Sequence, residues 1–310
     1  MQVMTLNEYA KAADNEMTRA VTELFADSSD ILNAMPFETI TGSAYKYNLE
    51  DTLPGIAFRG VNESYTPDIG VENPQVESLF IAGGEADVDN FLLRTHGEGR
   101  RAREENKKIK QMSRSVTDVI LSGNNSSQPR EFDGLQRRLT GTQLLRNADG
   151  SGGAALSLSK LDELIASVVN PTHLIVHRKF RDVHFKALLR NQTLAGNVQL
   201  TKDDLGRPVT SYNGIPMLVG YEVGPDARIL PFNEVAYGGG GAVTTSIYCV
   251  SLMEGHLWGI QSGPIATKDL GELEDKPAHR TRVEWDMGMV IENPYAAARL
   301  TSITDAPIAA

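Results

Sequence analysis

The sequence predicts an α+β fold, and three observations carry that expectation. One long charged helix runs between two glycines, Gly97 and Gly123. Ahead of it, Ser43–Gly84 is extended in texture and broken by Pro54, Gly55, Gly60, Pro67, Gly70 and Pro74. Behind it lies a mixed region of short helices and strands, closed by a long alternating strand, Arg280–Val290.

At the N-terminus, Thr5-Leu6-Asn7-Glu8 has capping-box spacing, so a helix carrying Tyr9, Met17, Val21, Leu24 and Phe25 is expected. Asp27, Ser28 and Ser29 interrupt it, and a short turn through Ile31 and Leu32 stops at Met35-Pro36. The arm has apolar faces with no sequence neighbour to cover them, so it should pack on a distant part of the chain or on another copy. Within Ser43–Gly84, strands are expected at Ala44–Leu49, Ile56–Phe58 and Val76–Ile81. So long a stretch with few large apolar groups cannot offset its own ordering entropy, which favours a hairpin lying on a partner.

In the long helix, Ala102, Ile109, Met112, Val116, Val119 and Ile120 form one narrow stripe, and Arg100, Arg101, Arg103, Glu104, Glu105, Lys107, Lys108 and Lys110 surround its first half. That pattern suits a strut across other subunits better than a core helix. Gly123 is expected to end it in a left-handed conformation. Further on, a helix capped by Ser157 or Ser159 ends at Asn170-Pro171, His173–His177 is a short buried strand, and Arg178–Arg190 is a helix. Asn213-Gly214 turns a hairpin over Val209–Val219. Ile229–Phe232 and Thr244–Leu252 read as strands. The last long strand puts Val283, Trp285, Met287 and Met289 on one face, with Arg282, Glu284 and Asp286 on the other.

The chemistry is sparse. A net charge of -10 over 310 residues argues against a protein built to grip nucleic-acid phosphates. The one cysteine, Cys249, sits in an apolar run and reads as a buried hydrophobe in a reducing compartment. Neither a signal peptide nor an apolar run of membrane-spanning length is visible, so a soluble chain is expected. Gly97-x-Gly99-x-x-Ala102 matches a loose dinucleotide pattern, but the preceding run is too polar for a buried strand and two arginines fill the turn. His173, His177 and His184 lack carboxylate or cysteine partners at ligand spacing, so hydrogen-bonded histidines are the better reading. Gly238–Gly241 has no following Lys-Ser/Thr and reads as a flexible connector, and Asp269, Glu272, Glu274 and Asp275 as a solvated turn. Glu98, Glu104 and Glu105, interleaved with the basic residues of the long helix, favour a charged subunit contact over a nucleic-acid site. No catalytic, cofactor or metal constellation is expected.

Helical arm, extended hairpin, strut helix, mixed domain and returning strand, in that order, resemble the major capsid proteins of tailed bacteriophages, the Hong Kong 97 fold. The stretches Leu53–Glu63 (LPGIAFRGVNE), Phe132–Gly141 (FDGLQRRLTG), Gly206–Pro216 (GRPVTSYNGIP) and Asp269–Glu274 (DLGELE), with the tail Arg280–Leu300, are similar to the epsilon15-type branch. The resemblance implies an N-terminal arm (residues 1–42), an E-loop (43–85), a peripheral (P) domain with its spine helix (86–125), an axial (A) domain (126–271), and a P-domain return strand with the C-terminus (272–310). Arg280–Ile303 would re-enter the P-domain sheet. It also implies pentamers and hexamers of this chain in an icosahedral shell around packaged double-stranded DNA. Such a protein would be made in the bacterial host cytoplasm and located in the virion.

Candidate subunit contacts are Phe58, Arg59, Tyr65, Arg100, Arg101, Arg103, Glu104, Glu105, Lys107 and Lys108. A separate scaffolding protein is expected because the chain starts almost at the arm, and a portal and a cement protein complete the implied partners. Glu50–Phe80 contains no lysine and only Arg59 as a basic residue, so a non-covalent shell is expected. Two other readings stay open: an encapsulin-like compartment of the same fold, and a soluble α/β enzyme using His173, His177 and His184.

Overall fold

The computed structural model describes residues 3–12, 16–52, 55–65, 71–97, 99–188, 198–202, 208–221 and 229–309. Leu53, Pro54, Pro67, Gly70, Glu98, Arg190 and Gly206 fall outside these, as does the side chain of Met17.

Two sheets and a separate hairpin form an α+β architecture. In the first sheet the strand Ala278–Ile291 is central. Leu257–Gln261 and Ala266–Glu272 pair antiparallel along one side of it, and Phe80–Asp89 pairs along the other; Arg282 faces both Lys268 and Glu85. Pro36–Thr39 adds parallel to Leu257–Gln261, and Met4–Thr5 closes that edge. The expected alternation holds, since Val283, Trp285, Met287 and Met289 are all buried. The helices Glu16–Asp27 and Gly99–Ser122 cover this face, and Phe25, Ile109, Met112, Val116 and Ile120 share one core with Trp285 and Met287.

The second sheet runs Leu144–Arg146, Ala297–Thr304, Ala242–Val250, His173–Ile175, Ile215–Leu218, Pro208–Tyr212, Val198–Lys202, with Glu234–Val235 also paired to Ala242–Val250. The helix Leu158–Ala166 buries Leu161 and Leu164 against it, together with Phe180, Phe185, Ile247, Cys249 and Leu300. Asn213 and Gly214 turn with φ of 49° and 82°, the doubly positive pair that a two-residue hairpin loop needs. The third element is the antiparallel pair Ala44–Thr52 and Val71–Ser78.

Several expectations change. The arm folds as three helices, Leu6–Ala12, Glu16–Asp27 and Asp30–Ala34. The first begins as predicted, with Glu8 Oε2 accepting from the Thr5 amide at 2.8 Å and from its hydroxyl at 3.0 Å. The arm docks on its own chain: Ser113 donates to the Phe25 carbonyl at 3.0 Å and Thr117 to Ser29 Oγ at 2.8 Å, both buried.

The long helix is not only a strut, because its second half lines the core; Ala102 is exposed and lies off the buried stripe. Gly123 does not adopt positive φ. It is required by close approach instead, since a Cβ there would lie 2.4 Å from the Phe132 carbonyl and 2.6 Å from that of Val119. The expected helix from Arg178 is present over the described residues 178–188, but Phe180–Phe185 within it is a π-helix, whose wider pitch brings two phenylalanines five residues apart onto one buried side.

Ile229–Phe232 is not a strand, because Leu230 takes a positive φ of 52° ahead of Pro231. Ile56–Phe58 is unpaired. Val76–Ile81 is interrupted at Leu79, whose amide turns to the Ser43 carbonyl. Gly238–Gly241 is no free connector: Gly152 N donates to Gly239 O at 2.7 Å, and a Cβ on Gly238 would collide with Asp149 and Gly150. Asp269 and Glu272 belong to a strand rather than a turn. Finally, Arg280–Ile303 serves two sheets, with Ala278–Ile291 in the first and Ala297–Thr304 in the second.

Candidate assembly surfaces

The hairpin pair stands apart from both sheets, and its distal residues 55–65 are all exposed. Ile56, Phe58 and Val61 are 92%, 101% and 92% exposed. Three bare apolar side chains at one tip are more than scattered surface hydrophobics. The loop's polar residues organise it from within. Arg59 Nη1 donates to the Glu63 carbonyl at 3.1 Å and its guanidinium lies 5.3 Å from the Tyr65 ring centroid, while Gly60 N donates to Glu63 Oε2 at 2.8 Å. Of the expected tip contacts, Phe58 therefore points outward, and Arg59 and Tyr65 brace the loop. Ile56 and Val61, equally bare, were not among the expected contacts.

At its root the hairpin is anchored. Arg138 makes a two-point pair with Glu77, at 2.5 and 2.8 Å, and its Nε donates to the Asp133 carbonyl at 2.6 Å. Tyr47 donates to the Ile291 carbonyl at 3.0 Å; burial pushes its hydroxyl pKa up to about 12. Tyr45 meets Trp258 edge-on at 6.2 Å. We expect Arg138→Ala to cost about 2 kcal/mol, since it strips a charged two-point bond from a largely buried carboxylate. Urea unfolding checks the magnitude. Limited proteolysis should show faster cleavage within residues 53–70, and unchanged cleavage would refute the anchoring role.

The charged half of the long helix divides into two groups. Arg101 pairs with Glu105 at 2.9 Å and with Asp269 at 2.7 Å, and Thr281 donates to Glu105 at 2.7 Å, so these side chains tie the helix to its own sheet. Arg100 and Lys107 both meet Glu104, at 2.9 and 3.0 Å, on the outer face. Arg103 is exposed and Lys108 half-buried. Beyond the helix, Asp87 accepts from Arg280 and Lys276, which hold its carboxyl well below the usual range.

The chemistry-bearing residues do not converge. His177 Nδ1 accepts from the Lys179 amide at 3.0 Å with its ring against Phe232, His184 Nε2 lies 3.0 Å from Asp305, and His173 Nδ1 lies 3.0 Å from the Thr172 hydroxyl. Among the described residues no three His, Cys, Asp or Glu side chains form a metal cluster. Gly97, at φ 74°, ends the short helix Asn90–His96 rather than opening a phosphate loop. Burial pushes the Cys249 thiol up to about 12. No helix among the described residues is long and apolar enough to cross a membrane.

Burial holds the His173 imidazole down at about 4, below its ordinary 6.5. The unfolded chain therefore takes up this proton first, so stability should be full above pH 6.5 and fall as the pH drops from about 6.5 to about 4. Urea midpoints at pH 7 and pH 5 test this; a His173→Gln chain should lose part of the difference, and an unchanged difference would refute the assignment.

Comparison with known proteins agrees with this geometry. Residues 13–157 match the family model "Major capsid protein GP7". No curated protein matches the chain. Among solved structures, it resembles that of Mycobacterium phage Bobi (TM-score 0.63, 11% identity, 90% of this chain and 91% of that one). It also resembles the SrpI encapsulin complex from Synechococcus elongatus (TM-score 0.62, 16% identity, 89% and 88%). The capsid of a native GTA particle follows at TM-score 0.58, 13% identity and 90% of each chain. These likenesses establish the fold, and the family model supplies the sequence signature. Over residues 13–157 the chain matches the major capsid protein GP7 family model, and over about nine-tenths of its length it has the fold shared by these tailed-phage capsid and encapsulin structures.

Proposed function

We propose that copies of this chain close into pentamers and hexamers of an icosahedral shell around packaged double-stranded DNA. The observation that carries this is the hairpin tip, whose Ile56, Phe58 and Val61 have nothing of their own chain to cover them. Covering such side chains with a neighbouring copy stabilises assembly by about 1.5–3 kcal/mol each, repeated at every contact. The hairpin, residues 43–85, acts as the E-loop; residues 1–42 as the arm; 86–125 and 272–310 as the peripheral part; and 126–271 as the axial part. Because Leu257–Gln261 and Ala266–Glu272 both pair in the first sheet, the last two strands of the axial part join the peripheral one.

Phe58, with Arg59 and Tyr65 shaping the loop, contacts a neighbour; Arg100, Arg103, Lys107 and Lys108 offer the charged contacts. Arg101 and Glu105 brace the subunit from inside, and Glu104 sets the positions of Arg100 and Lys107. The role is structural rather than catalytic. Assignment to the epsilon15-type branch rests on the four sequence stretches and the tail Arg280–Leu300 alone. A separate scaffolding protein, a portal and a cement protein are the further partners, and the joints are non-covalent; covalent ladders on a denaturing gel of particles would overturn that.

Negative-stain microscopy with light scattering after size exclusion tests the proposal. Closed particles, pentamers or hexamers are expected, from the chain alone or with its scaffold. Phe58→Asp should abolish particles while leaving the circular dichroism of the chain unchanged; undiminished assembly would sink the tip as a contact. An encapsulin-like compartment has the same fold in its favour. Nucleic acid inside the particles separates the two readings, since a compartment of that kind would hold protein cargo.

A further inference from the structure

Tyr248 and Arg299 face each other across the antiparallel strands Ala242–Val250 and Ala297–Thr304, so their side chains share one face of the second sheet. The turn at Leu230, with its positive φ of 52°, packs Ile229 and Leu230 beside them, and Thr245 Oγ1 donates to the Leu230 carbonyl at 2.6 Å. The last turn of the long helix contributes Leu121. Together these elements line a cleft of about 490 Å³ where the long helix meets the second sheet, a volume within the range of small-molecule sites.

Two of the lining groups are buried donors that lack an acceptor. Tyr248 is 1% exposed, and its hydroxyl makes no hydrogen bond among the described residues. Burial raises its pKa, so it stays neutral and able to donate. Arg299 is 8% exposed; Nη2 meets Glu234 and Nε donates to Ser246 Oγ, which leaves Nη1 without a partner among the described residues. Its guanidinium carbon lies 5.6 Å from the Tyr248 ring centroid. Buried donors without acceptors are costly, and a ligand oxygen removes that cost.

The charges narrow the ligand. Asp118 and Glu234 set two carboxylates against one guanidinium in the lining, which disfavours an anion. A cation would meet the guanidinium and leave both donors unanswered. A neutral acceptor fits, and the surplus carboxylate suits a group that also carries N–H. Leu121, Leu144, Ile229, Leu230 and Val235 supply apolar walls.

We propose that this cleft binds a neutral amide, whose carbonyl oxygen accepts from the Tyr248 hydroxyl and Arg299 Nη1 while its apolar body lies against Ile229 and Leu230. A ligand seated there joins the end of the long helix to the second sheet and stabilises the subunit across that junction. The site belongs to the single chain and does not depend on the shell reading.

Methyl-resolved NMR of the unassembled chain tests it with benzamide, and with benzoate and benzylammonium as charged analogues. Benzamide should shift the Ile229, Leu230 and Val235 methyl signals saturably. Tyr248→Phe should weaken that binding about tenfold and leave the urea midpoint unchanged or higher, because the hydroxyl it removes bonds to nothing in the chain. Methyl signals that do not respond, or respond equally in the variant, would overturn the site. Benzoate or benzylammonium binding there as tightly as benzamide would overturn the neutral class. A lowered midpoint for Tyr248→Phe would mean that the hydroxyl already has a partner, which sinks the premise. The amide can be a free molecule or an Asn or Gln side chain of another chain. Assembled particles that still take up benzamide assign it to a free molecule, and particles that exclude it assign it to a neighbouring chain.

Discussion

Trp285→Ala is expected to lower the unfolding free energy of the subunit by about 3–5 kcal/mol, the range for removing a large aromatic from a packed core. Trp285 sits mid-way along the central strand, 1% exposed, with its ring 5.1 Å from both Phe25 and Phe37. Phe25 comes from the second arm helix and Phe37 from the strand at the end of the arm, so this one side chain joins the N-terminal segment to the sheet. Its Nε1 donates to the buried Gln261 Oε1 at 3.1 Å, and truncation would strip that acceptor of this donor as well as open a cavity. Urea unfolding of the unassembled chain measures the loss, and protease release of the arm should accompany it. A cost under about 1 kcal/mol would mean that the arm does not depend on this contact.

Arg299→Ala should be comparably damaging, for an electrostatic reason. Arg299 pairs with Glu234 at 2.9 Å, with side-chain exposures of 10% and 17%, and its Nε donates to Ser246 Oγ at 3.0 Å. The pair ties the final strand to the short edge strand across Ala242–Val250. Removing Arg299 leaves the largely buried Glu234 carboxylate without its counter-charge, with the Ser246 hydroxyl still donating to it, at a cost of about 3 kcal/mol, whereas replacing both with apolar groups is often near neutral. The single variant and the double variant Arg299→Met, Glu234→Leu should therefore differ sharply in urea midpoint. Equal destabilisation would mean that lost packing, not the unpaired charge, accounts for the effect.

Much of the fold was legible because it is written in local periodicity. The long helix, the face of Ala278–Ile291 carrying Trp285, and the Asn213-Gly214 turn each follow from spacing and turn chemistry within a few residues. The exposure of Phe58 was also legible, from its place in a segment too poor in apolar groups to fold alone. That of Ile56 and Val61 was not, since a strand pattern in sequence is silent about whether a partner strand exists.

The remaining features depend on residues far apart in the chain, and only the tertiary structure decided them. Gly123 is glycine because the Phe132 carbonyl crosses it, not because its own φ demands it. Arg101 turns inward because Asp269 and Thr281 happen to face it. Ala297–Thr304 leaves the first sheet for the second because its register lies with Ala242–Val250. Local propensity specifies that a helix or strand forms and which face is apolar. Which neighbour covers that face, and which charges are satisfied within the subunit rather than left for another, is set by packing between segments that the chain brings together only when it folds.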